Sequence, residues 1–186
     1  MYGMVNQAIE AMVTERFGEN AWQRVRERAG VADPVFVTMK HYPDATTYAL
    51  VGAISAETGT DAPALLRAFG RYWVEYARRG PWGAMMLSAG GNALELLSAL
   101  DAMHARIAMS FPELKPPSFR VLPSADGEVV LEYRSERPGL APFVVGLVEG
   151  VGDLYGERVE AELAEPRAEG SDCDRFRVRF LGKAGN

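Results

Sequence analysis

The sequence is poor in the residues that build metal clusters and covalent crosslinks. It has one cysteine, Cys173, and two histidines, His41 and His104, among 186 residues. A single cysteine excludes an internal disulfide and any multi-cysteine zinc or iron–sulfur site. Two histidines exclude a multi-histidine metal site unless carboxylates supply most of the ligands. Because aspartates flank Cys173 and disfavour its thiolate, we expect an unreactive cysteine in a reducing cytoplasm.

The chain also lacks an excess of basic charge and a long apolar run. Twenty basic and 25 acidic side chains leave a formal net charge of −5, which gives no general attraction for nucleic acid or anionic lipid. The longest uncharged stretch, residues 80–94, is too short and too glycine-rich to span a bilayer, and the N-terminus shows no secretory signal. Motifs for phosphate loops, dinucleotides, serine hydrolases and paired-histidine zinc sites are missing too. We therefore expect a cytoplasmic globular protein without nucleic-acid or membrane partners.

Apolar side chains recur at helical spacing through the first two thirds of the chain. One helix carries Val5 and Ile9 and ends at Gly18, and in a later one Leu66, Phe69, Trp73 and Ala77 share one face. Asp44 and Asn92 are predicted to cap helices, and residues 30–43 form an irregular connection. The predicted helices are residues 5–17, 19–29, 44–57, 62–79 and 93–109.

From Ser118 onward the pattern alternates with the period of a strand. The alternating runs are residues 129–134, 159–163 and 175–180, with a turn at residues 124–127 and a helix over residues 141–155. Acidic side chains of the second run would face the arginines of the third on the wet side of an antiparallel sheet. The chain is therefore predicted to be α+β: a helical N-terminal lobe joined to an antiparallel sheet with a helix packed on it.

The two histidines have different surroundings in the sequence. His41 lies beside Lys40 and before Pro43, so we expect it in an exposed loop. His104 shares the apolar face of its helix with Leu97, Leu100 and Ile107. A neutral imidazole in an apolar space is either a packed core histidine or a ligand to a metal or haem, and spacing alone leaves both open.

A second candidate element is Tyr133-x-Ser135-x-Arg137. Residues of equal parity on a strand point to one face, which brings two hydroxyls and a guanidinium together, a set that suits carboxylates. An ordinary strand end with a surface arginine pairing a glutamate is the alternative. Taken together, His104, the apolar helices and this element supply the axial imidazole, the apolar slot and the propionate anchor that haem needs.

The sequence resembles the haem nitric oxide/oxygen-binding (H-NOX) family, which includes the haem domain of soluble guanylate cyclase. The resemblance covers essentially the whole chain and is nearer the guanylate-cyclase-like branch than the oxygen-binding branch. It rests on Met1-Tyr2-Gly3-Met4-Val5-Asn6, on residues 100–106 around His104, on the run from Phe111 through Pro112 to Pro117, on Tyr133-x-Ser135-x-Arg137 and on Gly139-Leu-Ala-Pro142.

The resemblance implies a single domain over residues 1–186, with a distal helical lobe over about residues 1–60 and a proximal lobe over about residues 61–186. The proximal lobe would carry a four-stranded antiparallel sheet with a packed helix, and haem b would lie between the lobes. His104 would be the proximal iron ligand, with its other ring nitrogen held by a carbonyl or water. Tyr133, Ser135 and Arg137 would hold the propionates, and Pro117 would press on the porphyrin.

The same resemblance predicts an apolar distal pocket lined by Val5, Ile9, Trp73, Ala77 and Pro142. Pro142 stands where the oxygen-binding branch has a tyrosine donor. Bound oxygen needs such a donor far more than nitric oxide does, so the pocket would favour NO, and CO, over oxygen. One unmade hydrogen bond of this kind is worth about 1–3 kcal/mol. The indole N–H of Trp73 is another available donor.

The resemblance finally implies a sensor and not an enzyme. NO would weaken the iron–His104 bond, release its helix and let the haem flatten against Pro117, and the two lobes would rotate. The chain shows no output region, so the expected partner is a separate effector such as a histidine kinase or a diguanylate cyclase. An oxygen-binding haem sensor or carrier, a haem enzyme and a haem-free interaction domain are the alternatives.

Overall fold

The computed structural model describes residues 1–32, 35–111, 114–124 and 127–183. Within these ranges the chain forms seven helices and a four-stranded antiparallel sheet, which confirms the α+β prediction. Pro112 and the central residues of the turn at 124–127 lie outside the described residues. In chain order the elements are α1 (Gly3–Phe17), α2 (Glu19–Ala29), α3 (Asp44–Thr58), α4 (Ala62–Arg79), α5 (Gly83–Ser88), α6 (Ala93–Ser110), β1 (Ser118–Pro123), β2 (Glu128–Arg134), α7 (Ala141–Leu154), β3 (Glu157–Glu165) and β4 (Cys173–Lys183).

The two predicted helix caps have different outcomes. Asn92 caps α6 as predicted, because its side chain accepts a hydrogen bond from the backbone N–H of Glu95. The cap assigned to Asp44 is wrong: Asp44 is the first residue of α3, and Pro43 stands at the cap position. The Asp44 carboxylate instead pairs with the N-terminal ammonium group of Met1, a partner distant in sequence that local propensity cannot reveal.

The chain forms two compact units, Met1–Phe69 and Gly70–Asn186, and their boundary falls inside α4. The lobe boundary near residue 60 stays a prediction. In the first unit α1, α2 and α3 pack on one another. Their largest fully buried apolar side chains are Ile9, Met12, Val13, Trp22, Leu50 and Ile54. No helix in the described part of the chain is long and apolar enough to cross a membrane.

Glycines let α7 and the part of α4 that belongs to the second unit approach each other closely. A Cβ at Gly70 would lie 2.1 Å from the carbonyl oxygen of Phe143, and one at Gly150 would lie 2.9 Å from Cα of Arg71. The buried face of α4 differs in part from the expected one. Phe69 is buried as predicted, but the other buried apolar side chains are Leu65 and Val74, whereas Leu66, Trp73 and Ala77 are only partly buried.

The sheet of the second unit has the strand order β1-β2-β4-β3, with each neighbouring pair antiparallel. Helix α7 packs on β3 and α6 packs on β1. The face of the sheet that is buried, here called the inner face, carries among others Phe119, Leu131, Tyr133, Phe176 and Val178.

The opposite, outer face carries rows of paired charges, as predicted. Glu162 lies opposite Arg177 in the register and is joined to it at 2.8 Å, and Glu160 pairs in the same way with Arg179 at 3.3 Å. Leu163 is the exception to the expected burial, since it is 40% exposed beside an irregularity in the pairing of β3 with β4.

Candidate functional site

His104 lies on α6 with its ring turned toward the start of the sheet. Its Nδ1 is 3.0 Å from the carbonyl oxygen of Pro117. A carbonyl can only accept a hydrogen bond, so this contact assigns the proton to Nδ1 and leaves a lone pair on Nε2. Burial lowers the pKa of His104, against the opposing influences of the Pro117 carbonyl and of Asp101. The result is a neutral imidazole of fixed tautomer, the form in which histidine binds metals.

Asp101, one turn before His104, fastens the beginning of β1 to α6. Its carboxylate accepts hydrogen bonds from the hydroxyl of Ser118 at 2.9 Å and from the backbone N–H of Phe119 at 2.6 Å. These two bonds hold the residues directly after Pro117, so they keep the Pro117 carbonyl against the imidazole. Asp101 was missed in the sequence, although its spacing of three from His104 placed it on a neighbouring part of the helix surface.

Phe119 connects His104 to Tyr133. Its ring centroid lies 5.9 Å from that of His104 and 5.1 Å from that of Tyr133. Phe119 is 3% exposed and Tyr133 is 2% exposed, so the row runs from the partly buried His104 on α6 into the core at β2. The row depends on the pairing of Phe119 with Tyr133 in the register of β1 and β2, which no local pattern in the sequence shows.

Tyr133 and Ser135 lie together as predicted. Strand parity, the reason given for this, does not hold for the whole Tyr133-x-Ser135-x-Arg137 element. Tyr133, on β2, is 2% exposed and its hydroxyl hydrogen-bonds with the Ser135 side chain. Strand β2 ends at Arg134, so strand parity does not extend to Arg137. A turn brings Arg137 back instead: its backbone N–H donates to Ser135 Oγ at 3.1 Å.

Burial, and not the charges around this pair, keeps the phenol of Tyr133 protonated. Burial raises the pKa of Tyr133, while the bond to Ser135 and the positive charges of Arg167 and Arg137 act against that rise. A buried, protonated phenol beside a serine hydroxyl and the Arg137 guanidinium is a hydrogen-bond donor set with positive potential. Such a set suits a ligand that carries carboxylates.

The remaining predicted residues lie on helices of both units. In the first unit, Ile9 is 1% exposed and Val5 is partly buried, both on α1. In the second unit, Trp73 and Ala77 of α4 pack against the core. Pro142 is the second residue of α7, where its missing N–H leaves no helical hydrogen bond unmade. The structure brings His104, Pro117, Tyr133 and Ser135 into one connected group.

Other titratable groups fall outside this group. His41 is exposed, as predicted, and its ring meets Tyr2 edge-on. The pKa of Cys173 is raised, in the first place by burial rather than by the flanking carboxylates. Among the described residues, no group of three or more His, Cys, Asp or Glu side chains is placed to hold a metal ion.

A neutral imidazole with a lone pair on Nε2 and a separate set of donors for carboxylates fit what a haem-binding domain requires. The haem-NO-binding family model matches residues 2–163. The chain therefore belongs to the haem-NO-binding, or H-NOX, family of gas-sensor domains.

Two curated relatives illustrate the similarity. Soluble guanylate cyclase 89Da of Drosophila melanogaster is 28% identical over 166 residues, which are 89% of this chain and 25% of that protein. The guanylate cyclase soluble subunit beta-2 of Rattus norvegicus is 40% identical over 107 residues, which are 57% of this chain and 16% of that protein. The chain thus spans about a quarter of the length of the first relatives it matches.

A solved structure shows the same fold. The H-NOX protein from S. oneidensis in the Fe(II)NO ligation state matches with a TM-score of 0.86 and 18% identity. The match covers 98% of this chain and 100% of that one, so the helical and sheet-bearing parts both have counterparts there.

Proposed function

We propose that this domain binds haem b through His104 and senses nitric oxide. The observation that carries the proposal is the 3.0 Å contact between His104 Nδ1 and the Pro117 carbonyl. That contact fixes the tautomer and raises the basicity of the ring, so Nε2 is left as a ligand for iron.

Haem also needs side chains that bind its two propionates. Tyr133 and Ser135 offer hydroxyls, and Arg137 offers a guanidinium that can bind a carboxylate through two N–H groups. We assign these three side chains to the propionates. Pro117, held in place through Asp101, would contact the porphyrin next to His104.

The haem iron would supply a site for one diatomic ligand, NO or CO. We assign Val5 and Ile9 of α1, Trp73 and Ala77 of α4 and Pro142 of α7 to the surroundings of that ligand. The side chains of Val5, Ile9, Ala77 and Pro142 carry no hydrogen-bond donor, which disfavours oxygen by about 1–3 kcal/mol relative to a site with a donor. This chemistry supports selection of NO over oxygen.

The response of the chain would begin at His104. Loss of its iron bond would leave α6 held only by protein contacts, such as those that Asp101 makes with Ser118 and Phe119. A change in α6 and in the segment at Pro117 is then the two-state element that the ligand biases. We propose that the domain binds rather than catalyses, and that it acts in the cytoplasm on a separate effector such as a histidine kinase or a diguanylate cyclase.

An oxygen-binding sensor is the second candidate function. Trp73 favours it, because its indole N–H is a donor and its ring stacks on Tyr76 with centroids 6.3 Å apart, an arrangement that restricts the orientation of the indole. The two functions differ in whether the reduced protein forms a stable complex with oxygen in air.

Absorption spectra of the reduced, haem-loaded protein test both candidates. We expect the spectrum of a five-coordinate, histidine-ligated haem, no stable new species in air, and a marked shift of the Soret band with NO. A stable new species in air would favour the oxygen sensor. A protein that stays colourless after reconstitution with haem would contradict both.

A further inference from the structure

The connection between β3 and β4 holds Ser135 by both of its backbone polar groups. The N–H of Ser135 donates to the carbonyl oxygen of Asp172 at 3.0 Å. The carbonyl oxygen of Ser135 accepts Arg167 Nη1 at 2.8 Å. Residue 135 lies just past the end of β2, so its position comes from this connection and not from the ladder of the sheet.

Arg167 is itself fixed by a carboxylate on the inner face of the sheet. Asp174 is 5% exposed and lies directly opposite Tyr133 in the register of β2 and β4. Its Oδ1 accepts the backbone N–H of Arg167 at 2.8 Å. Its Oδ2 accepts Nε at 2.9 Å and Nη2 at 2.5 Å.

The hydrogen-bond partners of the Arg167 guanidinium indicate the role of this residue. All three of its side-chain nitrogens already donate within the protein, two to Asp174 and one to the Ser135 carbonyl. Its side chain is 18% exposed and that of Asp174 is 7% exposed, so the carboxylate largely neutralises the charge. Arg167 is therefore suited to hold Ser135 in place rather than to bind an outside anion.

We propose that Arg167 and Asp174 form a partly buried clasp that positions Ser135, and with it the hydrogen-bonded hydroxyl of Tyr133, for the haem carboxylates. This inference rests on the haem-binding function proposed above. It assigns a positioning role to the loop between β3 and β4, which lies more than thirty residues along the chain from the element it supports.

Two conservative variants test the clasp. Arg167→Lys keeps the charge but has one nitrogen, so it cannot reach Asp174 and Ser135 in the same way. Asp174→Asn keeps the shape and removes the charge. The matched control is Arg175→Lys, because Arg175 donates to the buried Glu132 carboxylate at 3.1 Å on the outer face and does not touch Ser135.

The measurement is the rate at which haem leaves each variant for an excess of apomyoglobin, with thermal unfolding of the haem-free protein recorded in parallel. We expect Arg167→Lys and Asp174→Asn to release haem about tenfold faster, the effect of one or two hydrogen bonds. The rate of haem release from the Arg175→Lys control should stay within about twofold of the parent rate. A twofold change corresponds to a smaller free energy than that of one hydrogen bond. In a Ser135→Ala background the effect of Arg167→Lys should shrink, since the group it positions is gone.

Three results are distinguishable. If the parent protein binds no haem, the proposed function fails. If the parent binds haem and Arg167→Lys and Asp174→Asn release it at the parent rate, the clasp is contradicted while the function stands. The clasp is also contradicted if Arg175→Lys speeds release as much as Arg167→Lys, because the effect would then follow general stability.

Discussion

The two faces of the sheet carry the same kind of ion pair in different surroundings. On the outer face, Arg177 and Glu162 pair at 2.8 Å with side chains 52% and 53% exposed. At the inner face, the pair of Arg167 with Asp174 is 18% and 7% exposed. Exposed pairs contribute little because water and salt screen them. Breaking a buried pair leaves an uncompensated charge and costs far more.

The difference in exposure determines which charged and polar groups have a fixed orientation. The inner face also carries Tyr133, which contacts Phe119 and through it the ring of His104. A polar group there is surrounded by apolar side chains and fixed by protein partners, so its orientation is defined.

The largest effect is expected from His104→Gly. Removal of the imidazole takes away the only protein ligand proposed for the iron, so stable haem binding should be lost and should return when imidazole is added. Soret absorbance after reconstitution and desalting measures this. His41→Ala is the matched control, because His41 is exposed, and it should retain haem. A normal histidine-ligated spectrum from His104→Gly would overturn the assignment.

A smaller effect is expected from Tyr133→Phe. The change removes one buried hydroxyl with little change of shape, so haem should bind more weakly by about 1–3 kcal/mol, or roughly five- to 150-fold. Haem titration of the apoprotein provides the affinity. Tyr155→Phe is the control, since it deletes a hydroxyl bonded to the Gly90 carbonyl at 2.9 Å, away from Tyr133. Equal losses in both variants would remove Tyr133 from the anchor.

On the outer face, Arg177→Ala should change little. The free energy of unfolding is expected to fall by about 0.5 kcal/mol, and haem affinity should stay at the parent value. Chemical denaturation of the apoprotein and haem titration measure the two quantities. A loss of haem affinity comparable to that of Tyr133→Phe would show that the faces are not separate in function.

The sequence predicted the features that depend on residues close together in the chain and missed those that depend on distant ones. Apolar periodicity identified α6 and the face that carries His104, and alternation identified the charged outer face, because both depend on neighbours close in the chain. The pairing of Asp174 with Tyr133 and of Phe119 with Tyr133 depends on the register between paired strands, which joins residues far apart in the chain. Arg167 was missed for that reason.

Two errors have the same origin. Strand parity was extended to Arg137, but β2 ends at Arg134 and the β3–β4 connection places the residue that follows. The cap at Asp44 was inferred from its residue type, but a distant ammonium group takes its carboxylate. In each case a partner far along the chain overrides the local preference.

An exposed ion pair on a helix provides the smallest effect and extends the comparison beyond the sheet. The hydrogen bond from Arg78, with further help from Arg79, lowers the pKa of Glu75 from 4.5 to about 2. The folded-state pKa lies below the ordinary value, so the stabilisation is present above pH 4.5 and is lost as the pH falls toward about 2. Because the Glu75 side chain is 38% exposed, we expect no more than about 0.5 kcal/mol. The difference in unfolding free energy between the parent and Glu75→Gln should therefore shrink with acidification. The double variant Arg78→Gln/Arg79→Gln should show the same loss, and a difference independent of pH would mean that Glu75 contributes through packing instead of charge.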